Sequence, residues 1–106
     1  MAVAYQYGAA QLGSYRAQSV MGLSPEELIL KAYDIALSAL ATEDGTKACK
    51  VLAHLIDSLD FKYREVAVGL FRLYRYCMEE IKKGEYEVPT RIVRELRTSW
   101  AQALGR

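Results

Sequence analysis

In the segment from Ser24 to Leu40, the polar residues beyond the first three positions fall on one narrow line. Glu27, Lys31, Asp34 and Ser38 recur at steps of four, three and four, while Leu28, Ile29, Leu30, Ala32, Tyr33, Ile35, Ala36, Leu37, Ala39 and Leu40 occupy the rest. Steps of three and four trace a single stripe along an α-helix. The start is equally legible: Ser24 can cap, Pro25 suits the first helical position, and Glu27 stands where a capping box wants its carboxylate. This pattern predicts a helix from about Pro25 to Ala41 that is apolar over most of its circumference. Such a helix needs cover on more than one side, from its own bundle or from a partner.

Three further helical periods follow. Thr42, Glu43, Asp44 and Gly45 read as a short turn whose glycine tolerates left-handed backbone. A second helix is expected from about Thr46 to Leu59, with Lys47, Lys50, His54 and Asp57 wet and Ala48, Val51, Leu52, Leu55, Ile56 and Leu59 inward. A third runs from about Arg64 to Lys83, with Val66, Ala67, Leu70, Phe71, Tyr74, Cys77, Met78 and Ile81 at core spacing, flanked by Leu73 and Tyr76; Gly84 ends it. Pro89 opens the fourth, which reaches about Leu104 and turns Ile92, Val93, Leu96, Trp100, Ala103 and Leu104 inward. With short connections and no strand period, the chain is expected to be all-α, an antiparallel four-helix bundle over residues 24–106. Residues 1–23 carry one charge, Arg16, and no sustained period, so they read as a mobile or loosely docked N-terminal arm. Tyr5, Tyr7, Leu12, Tyr15, Val20, Met21 and Leu23 are too apolar to lie together in water, which gives the arm a reason to rest on a surface.

Charge changes this picture little. The 106 residues carry a formal net charge of +1, which argues against nucleic acid as a partner. The two halves do differ in sign: residues 1–60 hold four Lys/Arg against seven Asp/Glu, and residues 61–106 hold ten against six. Arg91, Arg94 and Arg97 gather on roughly one face of the last helix, either a solvated face or a patch for an anionic partner. No stretch approaches the ~20 apolar residues of a membrane span, so no membrane insertion and a cytoplasmic location are expected.

Recognisable chemistry is missing. Cys49 and Cys77 sit at apolar helical positions, and His54 lies about 140° round the helix from Cys49, so neither a disulfide framework nor a metal site is expected. Asp57 and Asp60 stand at the end of the second helix, where capping and solvation account for them. No nucleophile with a base, carboxylate pair in a cleft or glycine-rich phosphate loop appears, so the chain reads as no enzyme and without a cofactor. Eight tyrosines remain to be explained. Tyr33, Tyr74, Tyr76, Tyr15 and Trp100 can form an aromatic contact surface, or Tyr33 and Tyr74 can pack in the core with their hydroxyls at its rim. Tyr5, Tyr7 and Tyr15 lie outside the bundle pattern and are better suited to recognition.

Several segments, in order, carry a resemblance. They are Tyr15 to Val20 as Tyr-x4-Val; Ser24-Pro25-Glu26-Glu27-Leu28-Ile29; Ala32-Tyr33-Asp34-Ile35-Ala36; Leu59-Asp60; Glu65-Val66-Ala67; Leu73-Tyr74-Arg75-Tyr76-Cys77; and Leu96-Arg97-Thr98-Ser99-Trp100. Over roughly residues 12–104 the chain resembles the FliS family, bacterial chaperones that hold flagellin before export. It departs from the family's pattern in a shorter stretch before Leu59, in Arg75 where an acidic residue is usual, and in lacking a Gly-Gly pair before Glu65. A shorter second helix shortens any groove it lines.

The resemblance implies a bundle that binds the disordered C-terminal region of flagellin in hydrophobic grooves and hands it to a component of the flagellar export gate. On that reading the client groove is lined by Leu30, Tyr33, Leu37, Leu73, Tyr74, Cys77 and Trp100. Leu12, Tyr15 and Val20 form the N-terminal lid and the contact with the gate. The protein would be a monomer or weak dimer. The competing expectation is a structural or regulatory bundle that dimerises through its first helix.

Overall fold

The computed structural model describes residues 23–105. Four helices make up the fold: α1 (Pro25–Ala41), α2 (Gly45–Asp57), α3 (Arg64–Lys82) and α4 (Glu87–Ala103). Each packs on its neighbour in sequence, and α4 returns to α1, which closes an all-α four-helix bundle. No strand occurs among the described residues. Most of the arm expected over residues 1–23 lies outside them.

Local chemistry sets the helix ends. At the start of α1 the Glu27 backbone N–H donates to Ser24 Oγ at 3.2 Å while Glu27 Oε1 accepts the Ser24 N–H at 3.1 Å, the reciprocal capping box read from the sequence. α3 ends at Gly84, whose φ of 81° lets the Glu85 N–H reach back to the Glu80 carbonyl at 2.9 Å. The α1–α2 turn differs from expectation. The left-handed residue is Glu43, with φ 54°, and not Gly45. The Asp44 N–H bonds to the Ala39 carbonyl and closes α1, while Asp44 Oδ1 caps α2 by accepting the Lys47 N–H at 3.1 Å. Gly45 is therefore already helical, and its missing side chain serves packing: a Cβ there would lie 3.0 Å from Tyr86 Oη and 3.1 Å from Ile81 Cγ2. The same Tyr86 hydroxyl donates to the Glu43 carbonyl at 3.2 Å, tying the α1–α2 turn to the start of α4.

α4 begins two residues before Pro89, which sits within the first turn, where a backbone N–H has no helical partner and its loss costs little. Leu28, Ile29, Leu30, Tyr33, Ala36, Ala39 and Leu40 of α1 are all buried, together with Ala48, Leu52 and Leu55 of α2 and Ala67, Leu70, Tyr74, Cys77 and Ile81 of α3. α4 contributes Val93, Trp100 and Ala101. Ala103, expected inward, is exposed, and Ala101 takes the buried position instead.

Candidate functional site

Four residues expected to line a client groove lie in the bundle interior. Tyr33 and Cys77 have no exposed surface, and Tyr74 and Trp100 keep only 2 % each. The tyrosine hydroxyls of α1 and α3 meet across the bundle, Oη to Oη, at 2.6 Å. Burial pushes both phenols up, Tyr74 to about 12, and the nearby Tyr74 raises Tyr33 further. The Trp100 indole acts on the Tyr33 hydroxyl in the opposite sense, favouring its ionised form, but burial dominates. Three helices thus share one neutral polar node in an otherwise apolar core. The Cys77 thiol, pushed up to about 11 mainly by burial, stays protonated and packs as a small apolar group.

Leu30 is also buried, Leu37 is half-buried, and Leu73 is 38 % exposed. Of the seven groove candidates, Leu73 therefore offers the most surface. Helical register turns it toward the α4 side of α3, together with half-buried Val66, and in the antiparallel neighbour Ile92 and Leu96 are half-buried too. This α3–α4 seam is an apolar flank open to solvent. Tyr76 is 47 % exposed on α3, one step further round, and Phe61 is 50 % exposed just before the helix. Phe61 meets Phe71 edge-on with ring centroids 6.3 Å apart, and the Arg75 guanidinium lies over the Phe71 ring at 5.9 Å. The lid residues Leu12, Tyr15 and Val20 lie outside the described residues, as do Tyr5 and Tyr7.

The three arginines of α4 do not act as one patch. Arg97 turns to α1, where its Nε donates to Asp34 Oδ1 at 2.6 Å. That pair borders a shallow depression of about 330 Å³, lined by Leu23, Glu27, Leu30, Lys31, Asp34 and Arg97. Arg91 and Arg94 stand with Tyr86, Glu87 and Thr90 around another, of about 370 Å³. Sequence reasoning missed the Asp34–Arg97 pair and the Tyr33–Tyr74 bond, because each joins residues far apart in the chain. No group of three or more His, Cys, Asp or Glu residues suited to a metal ion occurs among the described residues.

The family model described as "Flagellar protein FliS" matches residues 8–106, nearly the whole chain. The chain belongs to the FliS family. FliS proteins are flagellar chaperones and not an enzyme family, and a general flagellar chaperone role follows for this member. No curated protein and no solved structure gives a significant match. No helix among the described residues is long and apolar enough to cross a membrane. Much of the resemblance to FliS now has a structural meaning. Tyr33 and Asp34 on α1, Tyr74 on α3, and Arg97 and Trp100 on α4 all belong to motifs that resemble the family, and the fold uses them for its polar node and its α1–α4 ion pair.

Proposed function

We propose that this FliS-family protein binds the C-terminal region of flagellin, laid in a partly helical form along the α3–α4 seam, and delivers it to the flagellar type III export apparatus. The carrying observation is the exposure of Leu73 beside half-buried Val66, Ile92 and Leu96; among the described residues only Phe61 and Tyr76 expose more of a large apolar side chain. An amphipathic client helix buries its own apolar stripe on such a flank. Tyr33, Tyr74, Cys77 and Trp100 then hold the shape of the seam from beneath and do not touch the client. Leu12 and Tyr15 carry the contact with the export gate in this reading. The alternative, dimerisation through α1, has little to build on: α1 already buries seven of its apolar side chains inside the bundle.

Calorimetric titration with a flagellin C-terminal peptide tests the proposal. The expected result is one-to-one binding with a negative heat-capacity change and a gain of helical circular dichroism. Leu73→Glu should weaken that binding at least about tenfold, roughly 1.4 kcal/mol, without moving the unfolding midpoint. Absence of heat and of added helicity with the unaltered protein would remove flagellin as the client.

A further inference from the structure

Gly69 lies inside α3, exposed at the outer edge of the flank that faces α4, and nothing in the fold requires glycine there. Inside a helix glycine is less favourable than alanine, because its backbone loses more freedom on folding. Gly69 does not take the positive φ of Gly84 or Gly105, and a Cβ added to it would meet nothing within 4 Å. Its place on the helix suggests another use. Val66, Gly69, Leu70 and Leu73 stand at i, i+3, i+4 and i+7, the spacing of four residues that together form a hole for a side chain of a facing helix. Leu70 is buried at 6 %, Val66 is half-buried and Leu73 is 38 % exposed, so three walls are apolar and the fourth, at Gly69, is missing. Helical side chains lean toward the N-terminus of their own helix, so Leu73 leans back over the turn that carries Gly69. The result is an apolar notch, open to solvent beside the exposed leucine of the seam.

We propose that this notch seats one large apolar side chain of the client helix, which makes Gly69 a specificity-determining residue of the seam. The inference rests on the reading of the α3–α4 seam as the client site. A side chain that enters over Gly69 packs against Val66 and Leu73 at once and covers the surface that Leu73 leaves exposed. A client with alanine at that point leaves the notch unfilled, and one with a charged residue there buries the charge among apolar walls. The seam therefore favours a client whose apolar stripe carries a leucine, isoleucine, methionine or phenylalanine in register with Gly69. Any side chain placed on residue 69 itself would compete with the client for the same volume.

Titration of a flagellin C-terminal peptide against variants at residue 69 of the full chain distinguishes a notch from a plain apolar flank. Gly69→Met adds apolar area, so a flank that bound by area alone would take the peptide more tightly. With a notch, Gly69→Met should bind at least about tenfold more weakly and Gly69→Ala about threefold more weakly. Both replacements are better helix formers, so the urea midpoint should hold or rise while affinity falls, a divergence that a purely structural role would not produce. Replacing the peptide's large apolar residues by alanine one at a time identifies the seated side chain. Its truncation should weaken binding to the unaltered protein at least about tenfold, yet change binding to Gly69→Met by less than about threefold. The notch is overturned if Gly69→Met binds as tightly as the unaltered protein or more so, or if no peptide position shows this coupling. Weakened binding by Leu73→Glu would then leave the seam standing without it. A peptide that fails to bind the unaltered protein overturns the flagellin reading and the notch together.

Discussion

The Tyr33–Tyr74 bond allows a quantitative test of how the core is held. Tyr74→Phe keeps the ring and removes one oxygen, so it leaves no cavity of consequence. The loss is the hydrogen bond, worth about 1 kcal/mol net, plus the penalty for a Tyr33 hydroxyl left in a site with no exposed surface. The two together give about 2 kcal/mol. Tyr33→Phe should cost at least as much, because the Tyr33 hydroxyl is also the group on which Trp100 acts. The double Phe variant removes both hydroxyls and leaves an apolar pair of nearly the same shape. It should be less destabilised than either single variant, within about 1 kcal/mol of the parent. The chain has one tryptophan, Trp100, which is buried beside the node, so its fluorescence follows unfolding in urea directly. With a slope of about 1.5 kcal/mol/M, each single variant lowers the midpoint by roughly 1.3 M. Single effects that simply add in the double variant would refute the reasoning, since the hydroxyls would then be acting independently.

Three more outcomes rest on the same structure. Glu43→Gly should stabilise the protein by about 0.5–1 kcal/mol, read as a raised thermal midpoint, because Glu43 holds φ 54°, a conformation glycine takes without strain. Gly45→Ala, two residues on, should act in the opposite direction by about 1–2 kcal/mol, since its Cβ would press on Tyr86 Oη and Ile81 Cγ2 and disturb the bond to the Glu43 carbonyl. Stability should also fall in alkali: Tyr74 titrates near 12 folded and about 10 unfolded, so its contribution is intact below pH 10 and is lost as pH climbs toward 12, by up to about 3 kcal/mol. Urea midpoints measured at pH 8, 10 and 11 check this, and the fall should be smaller in the double Phe variant.

The sequence by itself determined the four helices and most of their ends. Steps of three and four are properties of one helix, and the Ser24–Glu27 box and the Gly84 terminator act over a few residues, so no tertiary knowledge was needed to find them. It also placed Ala48, Leu52, Leu55, Leu70 and Ile81 inside, since a residue at the centre of an apolar stripe is buried whichever neighbour it meets. The flanks of the stripes were decided only by the assembled bundle. Leu73 and Trp100 look alike as candidates for a groove, yet one is 38 % and the other 2 % exposed, because helix crossing decides which edge of a stripe a neighbour covers. Arg97 left the arginine face for Asp34, 63 positions away, and Tyr33 found Tyr74 at a separation of 41. The left-handed turn residue likewise fell on Glu43 and not on glycine, because Asp44 was taken for the cap and the space at Gly45 by Tyr86. Local periodicity reports what a helix hides from water. Which partner hides it, and which apolar edge stays open for another molecule, depends on contacts between segments that lie far apart along the chain.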